Sequence, residues 1–379
     1  MLHRKLALSL LTLLFLSTHV WAQEEIVKIG HVAPLSGQIA HLGKDNENGA
    51  RMAIDALNTQ GIKIAGKKIK FVLVAEDDAA NPQQATTVAQ KLVDAKVNAV
   101  IGHLNSGTTI PASKIYNDAG IPQISPSSTN PKYTLQGYKG AFRVVANDSQ
   151  LGGALGRYAA NKLKVKNIAV IDDQTAYGQG VAMEFMKAAK AAGVNVVSRQ
   201  YTSDKAPDFN AILTTIKSKN PELIFFGGMD AVGGPMLRQM KQLGINAKFM
   251  GGDGICTEQL PSLAGGGIAD GQVVCAEAGG VDASQKKEMD AFRVAYRKKF
   301  GIEIKHYAPY VYDAVMVVAA AMQKANSTEP AKYLPELAKI SYKGVTGQIE
   351  FDAKGDMKNG TLTLYTYKAG LRDPIAVMK

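Results

Sequence analysis

The feature that most constrains this chain is an alternation of short β-branched runs with helix-length amphipathic ones, repeated in two series. Val27–Ala33, Ile69–Ala75, Ala99–Gly102 and Ile121–Ser125 are strand-length segments of the kind buried on both faces of a parallel sheet. Between them, Lys44–Asn58 places Ala50, Ala53, Ile54 and Leu57 on one helical face and stops before Gly61, a suitable C-cap. Asn81-Pro82 opens the next helix, with Pro82 at a first-turn position where a missing N–H is tolerated. The second series begins near residue 148. There Ile168–Ile171, Val194–Arg199, Leu223–Phe226 and Phe249 with its neighbours read as strands, separated by helices over Ser149–Leu163, Gly178–Ala192, Phe209–Ser218 and Ala231–Leu243. This βα repetition predicts an α/β protein of two doubly wound, Rossmann-like lobes, with ligand-facing loops at the carboxyl ends of the strands. After Cys275 the alternation loosens into helices over Ser284–Lys299 and Tyr307–Lys324 and late strands over Gly347–Phe351 and Leu362–Tyr367.

The first 22 residues stand apart. Arg4 and Lys5 precede an apolar run from Leu6 to Leu16, and Val20-Trp21-Ala22 supplies a cleavage site, which together make a secretory signal peptide over 1–22. No later stretch reaches the roughly 20 apolar residues of a membrane-spanning helix. Cleavage after Ala22 leaves 357 of the 379 residues, enough for two domains, and lowers the formal charge from +11 to +9. That charge is spread along helix faces, as in Lys162, Lys187, Lys217, Lys241 and Lys287, with no basic–aromatic cluster, so nucleic acid is not an expected partner. The two cysteines, Cys256 and Cys275, lie close together in an exported chain with no His or third Cys nearby, which favours a disulfide over a metal site. Two buried free thiols are the alternative.

No motif for bond-breaking chemistry is present. A strand followed by G-x-G-x-x-G, a Walker loop and G-x-S-x-G are all missing. His31, His41, His103 and His306 are scattered without metal-ligand spacing and read as surface or structural residues, so neither enzyme, metal nor cofactor is expected. What remains are polar loops after strands. Gly102–Pro111 carries Ser106 at a helix entry, where unpaired N–H groups favour an anion. Ser125–Pro131 adds Ser127 and Thr129 on a backbone held by two prolines. Each loop alone is also ordinary capping or turn chemistry; two at neighbouring strand ends suggest a carboxylate cradle. The second series contributes Asp172–Gly178, Phe226–Asp230 and Met250–Gly254, in which Asp253 is either a turn residue or the partner of an ammonium group.

Several segments resemble the periplasmic leucine/isoleucine/valine-binding proteins, the type I solute receptors of branched-chain amino-acid ABC importers. They are Ile29–Gly37, Gly49–Asn58, Asp77–Pro82, Val100–Ser106, Tyr177-Gly178 and Gly251–Gly254, and the likeness runs from about Ile26 to the C-terminus. The resemblance implies two lobes joined by three hinge crossings, over 23–146 plus 278–355 and 147–277 plus 356–379. It implies that the ligand carboxylate is held at Ser106, Ser127 and Thr129 and the ammonium at Asp253. The pocket wall would be Leu42, Leu104, Tyr177, Met229 and Tyr307. Asp253 stands where leucine-binding members often have Glu, and Leu42 and Met229 stand at positions that are aromatic in some relatives. The disulfide pair of enteric members matches Ala80 and Asn105, so Cys256–Cys275 would be a different bridge. A periplasmic monomer that delivers its amino acid to a membrane permease follows from the resemblance. Receptors for alanine, γ-aminobutyrate, an aromatic amino acid or an amide, and a signalling sensor of the same fold, are the competing expectations.

Overall fold

The computed structural model describes residues 24–266, 268–280, 285–358 and 360–378. The signal peptide and the start of the helix expected at Ser284 lie outside them. The first lobe is built on β1 (Glu24–Ala33), β2 (Lys63–Ile64), β3 (Lys67–Asp77), β4 (Ala99–Gly102), β5 (Gln123–Ser125) and β6 (Ala141–Arg143). They form one six-stranded sheet in the order β2-β3-β1-β4-β5-β6, parallel except for β2. Between them run α1 (Ala40–Gln60), α2 (Pro82–Asp94), α3 (Ser106–Asp118) and the single turn α4 (Lys132–Leu135). The two-residue strand period decides which layer each side chain joins. Val27 and Ile29 face Ala50, Ala53, Ile54 and Leu57 of α1, whereas Val32 faces Val88 and Leu92 of α2 and Ala112 and Tyr116 of α3. Gly61 ends α1 in the left-handed conformation, and the Asn81 side chain caps α2, as their sequence positions predict.

The second lobe follows with α5 (Asp148–Asn161), β7 (Asn167–Asp172), α6 (Ala176–Ala191), β8 (Asn195–Tyr201), α7 (Asn210–Lys217), β9 (Leu223–Gly227), α8 (Asp230–Gln242), β10 (Lys248–Gly251), α9 (Leu260–Leu263) and β11 (Val273–Glu277). Along β9, Leu223 and Phe225 face one layer, where Phe225 stacks on Phe185 of α6. Ile224 and Phe226 face the other, against Leu213, Met236 and Met240. The chain then returns to the first lobe as α10 (Lys286–Phe300), α11 (Ala308–Lys324), α12 (Pro330–Ala338) and the hairpin β12 (Ser341–Lys343) with β13 (Gln348–Glu350), α11 packing on α1. It crosses back as β14 (Leu362–Lys368) and β15 (Leu371–Met378), which extend the second sheet to the order β15-β14-β11-β10-β9-β7-β8. The passage between sheets thus occurs three times. Cys256 and Cys275 are bonded, tying the segment after β10 to β11, and among the described residues no cysteine is free.

Candidate functional site

Three loops of the first lobe and three of the second meet where the carboxyl ends of both sheets face each other. Ser106 opens α3 and is 1% exposed; its hydroxyl oxygen accepts the Asn130 N–H at 3.2 Å and the Ser128 hydroxyl at 3.2 Å. Ser127 donates its hydroxyl to the Leu104 carbonyl at 2.9 Å, so that group is occupied within its own lobe. Thr129 is fully buried and its hydroxyl has no partner. An unpaired buried hydroxyl is costly, and here it lies beside the Asp148 side chain in the first turn of α5.

The 125–131 loop holds its shape through a residue that sequence reasoning missed. Arg143, at the end of β6, is fully buried and donates to the Ser128 carbonyl at 2.6 Å, the Asn130 carbonyl at 2.9 Å and the Asp356 carboxylate at 2.6 Å. Its signal was a lone charge inside the apolar run Ala141-Phe-Arg-Val-Val-Ala146.

Asp253 sits in the opposite lobe, just after β10, and is 1% exposed. The Tyr177 hydroxyl donates to its Oδ1 at 2.8 Å and the Tyr307 hydroxyl to its Oδ2 at 2.9 Å. Tyr177 belongs to α6 and Tyr307 precedes α11, so the two phenols reach the carboxylate from different lobes. Burial pushes the Asp253 carboxyl up from its ordinary range, against the pull of His306 and the two hydroxyls. Gly252 and Gly254 serve the tyrosine: a Cβ at Gly252 would lie 2.7 Å from the Tyr177 hydroxyl, and one at Gly254 would lie 2.8 Å from its ring.

Tyr307 is positioned by Asp45 of α1. That buried carboxylate accepts the backbone N–H groups of Lys305, His306, Tyr307 and Ala308 at 2.7 to 3.0 Å, and the Tyr296 hydroxyl at 2.9 Å. One side chain thereby satisfies the otherwise unpaired donors at the start of α11. The other residues expected at a pocket wall lie close to one another. Leu42, Leu104 and Tyr307 form one buried cluster of the first lobe, and Met229 of the second lobe packs against it.

Further bonds cross the cleft. His41 Nε2 lies 2.9 Å from Asp230 Oδ2, and the Asn130 amide donates to the Ala176 carbonyl at 2.6 Å. Sequence reasoning read His41 as a surface or structural residue; its contact with Asp230 is an interlobe one. His103 is structural, bonded to Asp78 and Tyr116. A cavity of about 680 Å³ remains between the lobes, lined by Ile39, Ala80 and Asn105 on one side and Asp173, Tyr177 and Met229 on the other. No group of metal-binding side chains occurs among the described residues. The arrangement offers hydroxyls and helix N–H groups at one end and a carboxylate at the other, which suits a small zwitterion.

Residues 26–371 match the family model described as periplasmic binding protein. An amino acid binding protein of Pseudomonas aeruginosa is 38% identical, with 96% of this chain and 95% of the relative covered. The leucine-, isoleucine-, valine-, threonine- and alanine-binding protein of the same organism is 34% identical over 90% of each chain. Among solved structures, the branched-chain amino acid transporter substrate-binding protein of Streptococcus pneumoniae in complex with isoleucine superposes with a TM-score of 0.83 at 29% identity, covering 93% of this chain and 99% of that one. Periplasmic binding proteins are solute receptors and not enzymes. With its two wound lobes and facing loops, this chain belongs to the periplasmic binding protein family, on the side of the leucine/isoleucine/valine-binding proteins.

Proposed function

We propose that this protein is an extracytoplasmic solute-binding protein of an ABC importer that closes on a branched-chain or other neutral amino acid. The carboxylate of the ligand would rest at Ser106, Thr129 and the Ser127 backbone, its ammonium at Asp253, and its side chain against Leu42, Leu104, Tyr177, Met229 and Tyr307. The observation that carries this reading is Asp253: a buried carboxylate met by one phenol from each lobe and facing a loop whose buried Thr129 hydroxyl has no partner. A ligand with opposite charges at its two ends gains both sets of contacts only when the lobes are together, and this differential affinity is what drives closure.

Sheet membership supports lobes over 23–146 plus 278–355 and 147–277 plus 356–379, with the three crossings as the hinge. A periplasmic monomer that docks on a membrane permease completes the proposal. The threonine and alanine in the name of one relative favour testing small side chains beside the branched ones. Isothermal titration with leucine, isoleucine, valine, alanine and threonine, on protein unfolded and refolded to strip carried-over ligand, tests the reading. Saturable binding of at least one, weakened by about 2–5 kcal/mol in Asp253→Ala, is expected; unchanged affinity in that variant overturns the site.

A further inference from the structure

His41, the second residue of α1, and Asp230, the first residue of α8, meet across the cleft with Nε2 2.9 Å from Oδ2. The carboxylate belongs to the second lobe and is fully buried, while the imidazole comes from the first lobe and stays partly exposed. Within its own lobe the carboxylate accepts the Thr257 hydroxyl at 2.6 Å on the same Oδ2, and its Oδ1 has no partner among the described residues. Closing the lobes over a carboxylate with so few donors is unfavourable. His41 is the group that offsets this cost, and it is in place only when the lobes are together.

The second lobe holds Asp230 ready. Thr257 follows Cys256, which is bonded to Cys275 of β11, and the Tyr367 hydroxyl donates to the Thr257 carbonyl at 2.7 Å. Arg372 donates to the Cys256 carbonyl at 2.9 Å. In the chain each partner adjoins a residue proposed for the pocket wall, His41 beside Leu42 and Asp230 beside Met229, yet neither is itself a proposed ligand contact. The other cross-cleft bonds differ in this respect. Tyr307 ends on Asp253, the proposed partner of the ammonium, and the Asn130 amide leaves the loop that shapes the carboxylate end.

We propose that His41 and Asp230 are a positioning pair that holds the cleft shut around whichever amino acid it contains, so that retention and choice of ligand reside in different residues. The assignment rests on the reading of the cleft as an amino-acid site. Opening parts the imidazole from the carboxylate and returns both to water; closing buries the carboxylate and restores the bond. The pair therefore favours the closed form by an amount that the ligand does not alter. That amount multiplies every affinity by one factor and leaves the rank order of ligands untouched.

The test is calorimetric titration of wild type, His41→Ala, His41→Gln, Asp230→Asn and the double variant His41→Ala/Asp230→Asn with leucine, valine, alanine and threonine. His41→Ala should weaken each ligand that wild type binds by the same factor, about 10- to 100-fold, with the rank order kept. His41→Gln, whose amide supplies an N–H donor, should recover part of that loss. The double variant should bind more tightly than His41→Ala, because closure then buries no unpaired charge. Ligand-free His41→Ala should melt with wild type, since the open lobes do not share the bond. A loss that differs among ligands makes His41 a ligand contact, and unchanged affinity makes the pair incidental. A lowered ligand-free melting temperature in His41→Ala makes it structural, and a double variant weaker than His41→Ala removes the coupling. Each of these overturns the pair and leaves the amino-acid site standing; a wild type that binds none of the four overturns the site, and the pair falls with it.

Discussion

Asp253 works through the two tyrosines that touch it, and they are not equivalent. Tyr307 makes one bond to the carboxylate, whereas the Tyr177 oxygen also accepts the Gly254 N–H at 2.9 Å, tying the 252–254 turn to α6. Tyr307→Phe should therefore weaken amino-acid binding by about 1.5–3 kcal/mol, the range for a hydrogen bond to a charged group. Tyr177→Phe should cost more and also lower the melting temperature; calorimetry and thermal melts on the pair separate the two effects. The glycines beside Asp253 invite a sharper check. A Cβ at Gly254 would stand 2.7 Å from the Gly228 carbonyl and 2.7 Å from Met229 Sδ. Gly254→Ala should thus destabilise the protein by about 1–3 kcal/mol and displace Tyr177, with loss of affinity although no proposed ligand-contacting side chain is itself substituted. Wild-type affinity in that variant would mean that the turn relaxes without moving the tyrosine.

At the scale of elements, the short strand β6 and the loop it holds decide whether the carboxylate end of the site has a shape. Arg143→Met removes the buried cation facing Asp356 and the side-chain donors to the Ser128 and Asn130 carbonyls, leaving the carboxylate only the neutral Thr134 hydroxyl and Asn147 amide, a loss of about 3–5 kcal/mol. Adding Asp356→Leu should recover much of the stability but not the binding, because Ser128 and Asn130 are still unheld; chemical denaturation and titration of the single and double variants check both halves. The long alternating elements were legible in the chain because a two- or 3.6-residue period recurs often enough to be read. β6 was not, since Ala141-Phe-Arg143 is too short to show a period. β15 was hidden by Pro374, which an edge strand tolerates because one side of its backbone is unpaired. Individual site residues followed the same rule. Ser106, Thr129 and Asp253 were visible because each lies in a polar loop directly after a strand. Asp45 and Arg143 were not, because what gives each its role lies far along the chain, the start of α11 for Asp45 and Asp356 for Arg143. Asp148 looks in the sequence like any acid in the first turn of a helix.

For the whole molecule, the buried ionisable groups give the ligand-free protein a pH response of defined sign. Burial raises Asp148 to about 8 and Asp173 and Asp313 to about 6, so between pH 4 and these values the folded chain holds protons that the unfolded chain has released. Stability then falls as pH rises through that window. His31 acts in the other direction. Burial lowers it to about 4, so the unfolded chain binds its proton first, and stability rises with pH from about 4 to the ordinary histidine value near 6.5. His306, also pushed down by burial, adds to that rise. The opposing slopes overlap up to about pH 7.5, where the unfolded histidines have lost their protons and Asp173 and Asp313 are ionised, whereas Asp148 is still titrating. A ligand-free melting temperature that declines between about pH 7.5 and 9 is therefore expected, with a shallower decline in Asp148→Asn. Differential scanning calorimetry across that interval reads both curves; an unchanged decline in Asp148→Asn would place the titrating group elsewhere in the fold.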